Sequence, residues 1–348
     1  MHSNISARSG GATSGDFEFT FELIPEVNPL PIIEDVKLKF SRDAQSISSS
    51  IENFIEEFGR TYHAYKEGSY HFPNDPRERD RLDKQNRIIS NMLCGGRLHF
   101  APFSKQNPPR RVLDVATGTG DWAIQMGDEY PTSYVEGLDL SPIQPREVPL
   151  NVRFFVQDAS EPWHFHQPFD YIHTRLTLGC FADFKAIVQQ AFDNLEPGGL
   201  FESVDLMAVW HSDDGSLDAN GAFASWFKNI NVASEAIERP LSVASKLKGW
   251  YEEVGFVDVQ EKVYKIPLNG WPEDPHMREI GNEWQSNLLD GLSGFTLGLF
   301  SRVLGYTEEE IQLTLMNVRK EIQDTTVHAY EPLYVVWGRK PSSSKSGN

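Results

Sequence analysis

A glycine-containing segment in the first half of the chain has the spacing of a nucleotide-binding turn. An apolar run at residues 112–115 is followed by Gly118 and Gly120, and a helical pattern starts at Asp121. Glycine lets the backbone pass close to a ligand, and the start of a helix presents free N–H groups to it. Asp139 ends the next apolar run, 21 residues after Gly118. A carboxylate there can accept both ribose hydroxyls of an adenine nucleoside.

Two cofactors fit this pattern, and a turn without a ligand is the third possibility. Residues 118–123 also read as the G-x-G-x-x-A of a dinucleotide site. Asp114 favours S-adenosylmethionine, because a carboxylate inside the first strand can fix the turn and meet the cofactor's ammonium group through water. Asp158 and Ala159 follow the third apolar run, where an acid can face the adenine amino group. The turn at residues 195–199, before the fifth strand, is also typical of methyltransferases.

The fourth predicted strand ends in His173, Thr174 and Arg175. Ligands of open α/β sheets bind at the carboxyl ends of the strands. His173 is therefore the candidate catalytic base, or a residue that holds the cofactor, and a half-buried structural histidine is the alternative. Arg175 at the same edge faces either a substrate carboxylate or solvent.

Apolar residues recur at helical spacing over residues 51–65, which predicts an N-terminal helix. Such a helix would close the cofactor site, with the Tyr65 hydroxyl or the Arg60 guanidinium against the cofactor carboxylate. The alternative is that the tyrosines form an ordinary packed face. Asp75-Pro76 predicts the start of a second helix, since aspartate caps helices and proline fits their first turn.

The remaining elements predict the fold class. Strand patterns alternate with helical ones from residue 111 onwards, which indicates a Rossmann-like α/β domain with a mostly parallel sheet of seven strands and an antiparallel last strand. The predicted parts are a weakly ordered segment (1–44), the α/β domain (45–340) with N-terminal cap helices (45–98) and a helical lid before the last strand (267–326), and a flexible tail (341–348).

Composition excludes several classes of function. The net charge of −18 would repel phosphate backbones, which argues against a nucleic-acid substrate. No apolar run reaches the roughly 18 residues of a membrane span, and the first 15 residues lack the apolar core of a secretory signal. The two cysteines form no metal or redox spacing. We therefore expect a cytoplasmic protein without a metal, whose oligomeric state stays open.

Several stretches of the sequence resemble one family. Residues 59–70 (GRTYHAYKEGSY), 139–145 (DLSPIQP) and 169–175 (FDYIHTR) carry the resemblance, together with shorter matches up to residue 339. Over roughly residues 50–340 the chain is similar to the LaeA-like fungal methyltransferases, which are related to the trans-aconitate methyltransferases. The resemblance implies a class I methyltransferase fold and S-adenosylmethionine binding. Ala116 departs from the pattern, because the family has the first glycine of G-T-G-T-G there.

The sequence thus predicts methyl transfer to a small molecule, with a role in secondary metabolism. One alternative is a regulator of secondary metabolism that acts through protein partners, for which we would expect a nuclear location. The other is a cyclase or isomerase that uses the cofactor only structurally. We also expect residues 51–70 and 267–326 to border an aromatic cavity of a few hundred Å³ with His173 on its wall. The predicted cofactor-binding residues are Tyr65, Asp114, Ala116, Gly118, Asp139, Leu140, Asp158, Ala159 and His173.

Overall fold

A computed structural model describes residues 54–342 of the chain. The segment 1–44 and residues 343–348 of the predicted tail lie outside the described residues. A hairpin of β1 (Ile55–Glu57) and β2 (Arg60–Tyr62) comes first. The other strands are β3 (Arg111–Val115), β4 (Tyr134–Asp139), β5 (Val152–Val156), β6 (Phe169–Arg175), β7 (Leu195–Leu206), β8 (His211–Ser212), β9 (Val257–Pro267) and β10 (Ala329–Arg339).

Seven α-helices belong to the described part of the chain. They are α1 (Pro76–Arg87), α2 (Asp121–Glu129), α3 (Phe184–Asn194), α4 (Ala222–Ala236), α5 (Leu247–Val254), α6 (Pro275–Arg302) and α7 (Glu308–Ile322). A π-helical turn, Ile88–Leu93, continues α1. Asp75 caps α1 as predicted, because its side chain accepts the Glu78 amide hydrogen. Among these helices none is both long and apolar enough to cross a bilayer.

The main sheet has the order β5-β4-β3-β6-β7-β10, with β9 and the short β8 also paired to β10. Strands β3 to β7 run parallel, and β10 runs antiparallel to both β7 and β9. The predicted α/β class, the mostly parallel sheet and the antiparallel last strand are confirmed. The two-residue strand β8 was not predicted. The central strands β3 and β6 are buried almost throughout, since helices cover both faces of a parallel sheet.

The helix predicted at residues 51–65 is wrong over its described part. Phe58 and Gly59 both have positive φ angles, 54° and 68°, which is the backbone of a two-residue hairpin turn. The chain therefore reverses at this point, and Arg60 and Tyr62 point inwards from β2. The helical spacing of the apolar residues does not reveal the turn. The only sequence signal for it is Gly59, and a single glycine is not enough to predict a hairpin.

A buried ionic network joins this hairpin to α1 and α6. Arg60 forms a two-pronged pair with Asp75, and its Nη2 lies 3.9 Å from Glu78 Oε2. Arg81 donates twice to Glu78 and once, at 3.3 Å, to Asn287 Oδ1 of α6. All four charged side chains are almost fully shielded from solvent, so each charge depends on its partner. We call residues 54–93 the N-terminal cap.

Replacing Arg60 tests this network. Arg60→Met leaves Asp75 without its buried partner, and we expect the free energy of unfolding to fall by about 3 kcal/mol. Urea unfolding followed by circular dichroism measures the change. Arg302→Met is the matched control, since Arg302 pairs with Glu57 of the same hairpin but is about one-third exposed. Its effect should stay near 1 kcal/mol or below. Equal losses in both variants would contradict a special role for the buried network.

Candidate functional site

A cavity of about 140 Å³ lies at the carboxyl ends of the parallel strands β3 to β6. Most of the residues predicted to bind the cofactor line it together: Asp114, Ala116, Gly118, Asp139, Leu140, Asp158 and Ala159. The turn after β3 forms its floor, and Pro73, Asn74, Leu82 and Asn86 of the N-terminal cap lie on its other side. Tyr65 and His173 are not among its lining residues.

The turn between β3 and α2 follows a left-handed path. Ala116, Gly118 and Gly120 have φ angles of 58°, 59° and 80°. A Cβ added at Gly120 would lie 2.4 Å from the Phe154 ring, so this glycine permits close packing on β5. A Cβ at Gly118 would meet no protein atom within 4 Å, and Gly118 borders the cavity. Glycine at 118 therefore keeps the backbone open to a ligand.

Ala116 adopts the left-handed conformation despite its side chain. Alanine in place of the family's glycine therefore costs about 1–2 kcal/mol of backbone strain at residue 116. It does not change the path of the turn. Thr117 helps to hold this path, because its amide donates to the Leu138 carbonyl and its hydroxyl donates to Asp114 Oδ2 at 2.5 Å. The contact between Thr117 and Asp114 supports the predicted role of Asp114 in fixing the turn.

Asp139 links the turn to β4. Its Oδ2 accepts the Gly118 amide hydrogen at 2.8 Å, and its Oδ1 accepts that of Ser141 at 2.9 Å. Each oxygen keeps a further lone pair, which suits a pair of vicinal hydroxyls. Burial raises the pKa of Asp139 to about 6 although the residue borders the cavity, since protein atoms surround the carboxylate. The residues present at this edge therefore fit an adenine nucleoside.

His173 is fully buried, at 0% exposure, beneath the turn. Its Nδ1 donates to Asp114 Oδ1 at 2.8 Å, and its ring stacks on Trp122 with centroids 3.7 Å apart. Burial lowers the pKa of His173, so the ring is neutral near pH 7. A side chain in this position cannot reach an acceptor in the cavity. His173 therefore positions Asp114. The geometry does not support the prediction that His173 is the catalytic base.

The two predicted contacts for the cofactor carboxylate are also absent from the cavity wall. Arg60 is committed to Asp75 and Glu78. Tyr65 is half-buried in a turn, and its carbonyl accepts from His63 Nδ1 at 2.7 Å. Tyr70, which belongs to the same sequence stretch, borders the cavity instead. Tyr70 and Asn74 were not predicted at the site, because a helix was expected at residues 51–65, where the chain forms a hairpin.

Helix α1 covers the turn from the opposite side. Asp83 accepts the Thr119 hydroxyl at 2.7 Å, and Asn86 Nδ2 donates to the Asp121 carboxylate at the start of α2. Leu82, which directly precedes Asp83, faces the cavity. The N-terminal cap therefore closes the site by contacts with the same turn that forms its floor.

The expected aromatic lid is not found at this cavity. Residues 267–326 are mainly helical as predicted, but they contribute no lining residue to it. Trp284 and Phe300 of α6 are instead fully buried in the core between the helices and the sheet. The cavity is also smaller than the few hundred Å³ that we expected. The aromatic residues of this segment are core residues, and α6 supports the N-terminal cap from behind.

Comparisons with known proteins agree with this architecture. A sequence profile described as a methyltransferase domain matches residues 51–261. The chain is 38% identical over 297 residues to methyltransferase pytC of Aspergillus terreus, covering 85% of this chain and 91% of that protein. It is 33% identical to secondary metabolism regulator LAE1 of Cochliobolus heterostrophus, with 83% and 95% covered. It is 32% identical to protein-methionine methyltransferase laeA of Emericella nidulans, with 85% and 79% covered.

Among solved structures, phosphoethanolamine N-methyltransferase 2 of Haemonchus contortus is similar at 17% identity. The TM-score is 0.45, and the match covers 88% of this chain and 75% of that one.

The conformation of Gly118 leads to a test. Gly118→Val should abolish binding of an adenine nucleoside ligand such as S-adenosylhomocysteine, because the new side chain projects into the cavity. The apo protein should melt only modestly lower, since the Cβ meets no protein atom and the cost is about 1–2 kcal/mol of backbone strain. Isothermal titration calorimetry and thermal melting measure the two effects.

Ala116→Gly is the matched control in the same turn. Glycine relieves the left-handed strain at residue 116 but makes the unfolded chain more flexible, so stability should rise by up to about 1 kcal/mol while binding persists. Undiminished binding by Gly118→Val would mean that the ligand does not lie over this turn.

Proposed function

We propose that this chain, which belongs to the LaeA-like S-adenosylmethionine-dependent methyltransferases, transfers a methyl group to a small molecule. The observation that carries the proposal is the cavity at the strand ends. The residues that suit a nucleoside line this cavity together with residues of the N-terminal cap. An acceptor must enter that space to meet the methyl group. A small molecule can do so with a smaller displacement of the cap than a protein acceptor would need.

The residues around the cavity suit the parts of the cofactor in the order of the strands. Asp158, after β5, can accept the adenine amino group, and Asp139, at the end of β4, can accept the ribose hydroxyls. Gly118 leaves room above the turn after β3. When bound, S-adenosylmethionine supplies an electrophilic methyl group on a positively charged sulfur. The carboxylates that line the cavity favour such a cation.

The chain's own contribution is alignment and exclusion of water. The N-terminal cap holds the site shut through Asp83 and Asn86 of α1, which reduces competing attack by solvent. His173 holds the Asp114 carboxylate in one orientation and stays neutral. Because His173 is buried and does not line the cavity, it does not serve as the base. Proximity is then the main source of rate enhancement.

A regulatory role through protein partners is the second candidate. Two observations favour it: LAE1 of Cochliobolus heterostrophus and laeA of Monascus pilosus are named secondary metabolism regulators, and a cavity of about 140 Å³ offers little room for an acceptor beside the cofactor. Ligand sites for small molecules usually measure about 300–1,000 Å³. On the small-molecule proposal, the N-terminal cap must therefore move to admit the acceptor.

Cofactor binding through Asp139 gives a pH-dependent prediction. Protonation removes acceptor capacity from the carboxylate, and its pKa is raised to about 6. The affinity for S-adenosylhomocysteine should therefore be constant from about pH 8 to pH 7 and fall as the pH drops below 6. Asp139→Asn should bind at least about tenfold more weakly at pH 8 and lose this pH dependence. Calorimetry across the pH range measures both, and an unchanged affinity in the variant would contradict the site.

The acceptor class can be decided by following the methyl group. The protein is incubated with methyl-labelled S-adenosylmethionine and a fungal extract, and the products are separated by ultrafiltration. We expect a labelled small molecule in the filtrate that chromatography separates from the cofactor. This product should be absent with Asp139→Ala, which removes the carboxylate from the cofactor site. Label retained with protein would contradict the small-molecule proposal and support the regulatory one.

A further inference from the structure

The charges that line the cavity are unevenly distributed. Four carboxylate side chains border it, those of Asp114, Asp121, Asp139 and Asp158, and one guanidinium, that of Arg175. The acidic side suits the sulfonium and ammonium groups of S-adenosylmethionine. The cofactor also has one carboxylate, and Arg175 is the one cationic side chain among the lining residues.

Arg175 is held by α1 and the π-helical turn but forms no direct ion pair with a carboxylate of the described residues. Its Nη1 donates to Ser90 Oγ at 2.8 Å, and its Nη2 makes a long contact of 3.5 Å with the Asn86 carbonyl. Nε is shut off from solvent and has no acceptor. Within residues 54–342, no carboxylate oxygen lies within 4 Å of this guanidinium, in contrast to Arg60. Three of its five N–H donors are thus without an acceptor.

An arginine in this state is costly to the apo protein. Burial lowers the pKa of Arg175, and a charge removed from water without a partner destabilises the fold. Hydrogen bonds to Ser90 and to a carbonyl satisfy donors but do not neutralise the charge. An anion in the cavity would do both.

The strand order locates that anion on the ligand. The sheet runs β5-β4-β3-β6, and the residues that suit adenine, ribose and the glycine turn follow β5, β4 and β3 in turn. Val115 of β3 pairs with Thr174 of β6, so Arg175 lies beside Ala116 at the next step. A nucleoside bound over Asp158 and Asp139 therefore directs its amino-acid end towards Arg175.

We propose that Arg175 binds the methionyl carboxylate of the cofactor and that Ser90 and Asn86 position its guanidinium for this contact. The proposal rests on the proposed function, because it requires S-adenosylmethionine in the cavity. It replaces Arg60 and Tyr65 as the carboxylate contact. It also explains why a cation lies among four acids at the end of β6.

The test compares two ligands that differ only in the carboxylate. S-adenosylhomocysteine and its decarboxylated analogue are titrated calorimetrically into the full chain and into Arg175→Met. We expect the variant to bind S-adenosylhomocysteine about tenfold or more weakly, with little change for the decarboxylated analogue. Arg87→Met is the matched control, because Arg87 directly follows Asn86 in α1 and its side chain is 59% exposed. Both affinities should be unchanged.

Thermal melting separates this role from a structural one. Removing a buried charge that has no direct ion pair should leave the melting temperature of apo Arg175→Met unchanged or higher. A lower melting temperature with equal losses for both ligands would overturn the proposal, since Arg175 would then only support the cap. An unchanged affinity for S-adenosylhomocysteine would overturn it as well. Failure of the unaltered chain to bind S-adenosylhomocysteine would instead contradict the proposed function itself.

Discussion

The left-handed turn that joins β3 to α2 is the constraint on which the site depends. Its backbone is fixed from three directions: by the Asp114 carboxylate beneath it, by Asp139 at its edge and by Phe154 against Gly120. Side chains of α1 then bind its upper surface. Each of these contacts depends on the same few positive φ angles. The turn therefore determines both the floor of the cavity and the position of the N-terminal cap.

Much of this arrangement is predictable from the sequence, because local patterns determine it. Buried strands alternate with amphipathic helices, and the glycines and Asp139 stand where parallel strands end. Asp75-Pro76 marks a helix start by capping chemistry alone. These features need no knowledge of what packs where, so the sheet and seven of the nine predicted cofactor residues were placed at the cavity.

The misplaced residues depend on tertiary contacts that a pattern does not contain. His173 lies at a strand end as expected, but stacking on Trp122 and the bond to Asp114 bury it below the turn. The aromatic residues of α6 are as consistent with a lid as with a core, and only packing against the sheet decides between them. The hairpin at Phe58-Gly59 was not predicted, because two residues with positive φ reverse the chain although its apolar residues have helical spacing.

The anchoring of the N-terminal cap on α6 has a consequence for the order of assembly. Arg60 and Arg81 contact Ser293 and Asn287, residues more than 200 positions later in the chain. During synthesis these partners leave the ribosome late, and β9 gains its neighbour β10 later still. The glycine turn and strands β3 to β6 are therefore synthesised before the residues of α6 that hold the N-terminal cap. A nascent chain reaches the closed form of the site only after residues 287–293 of α6 have been synthesised.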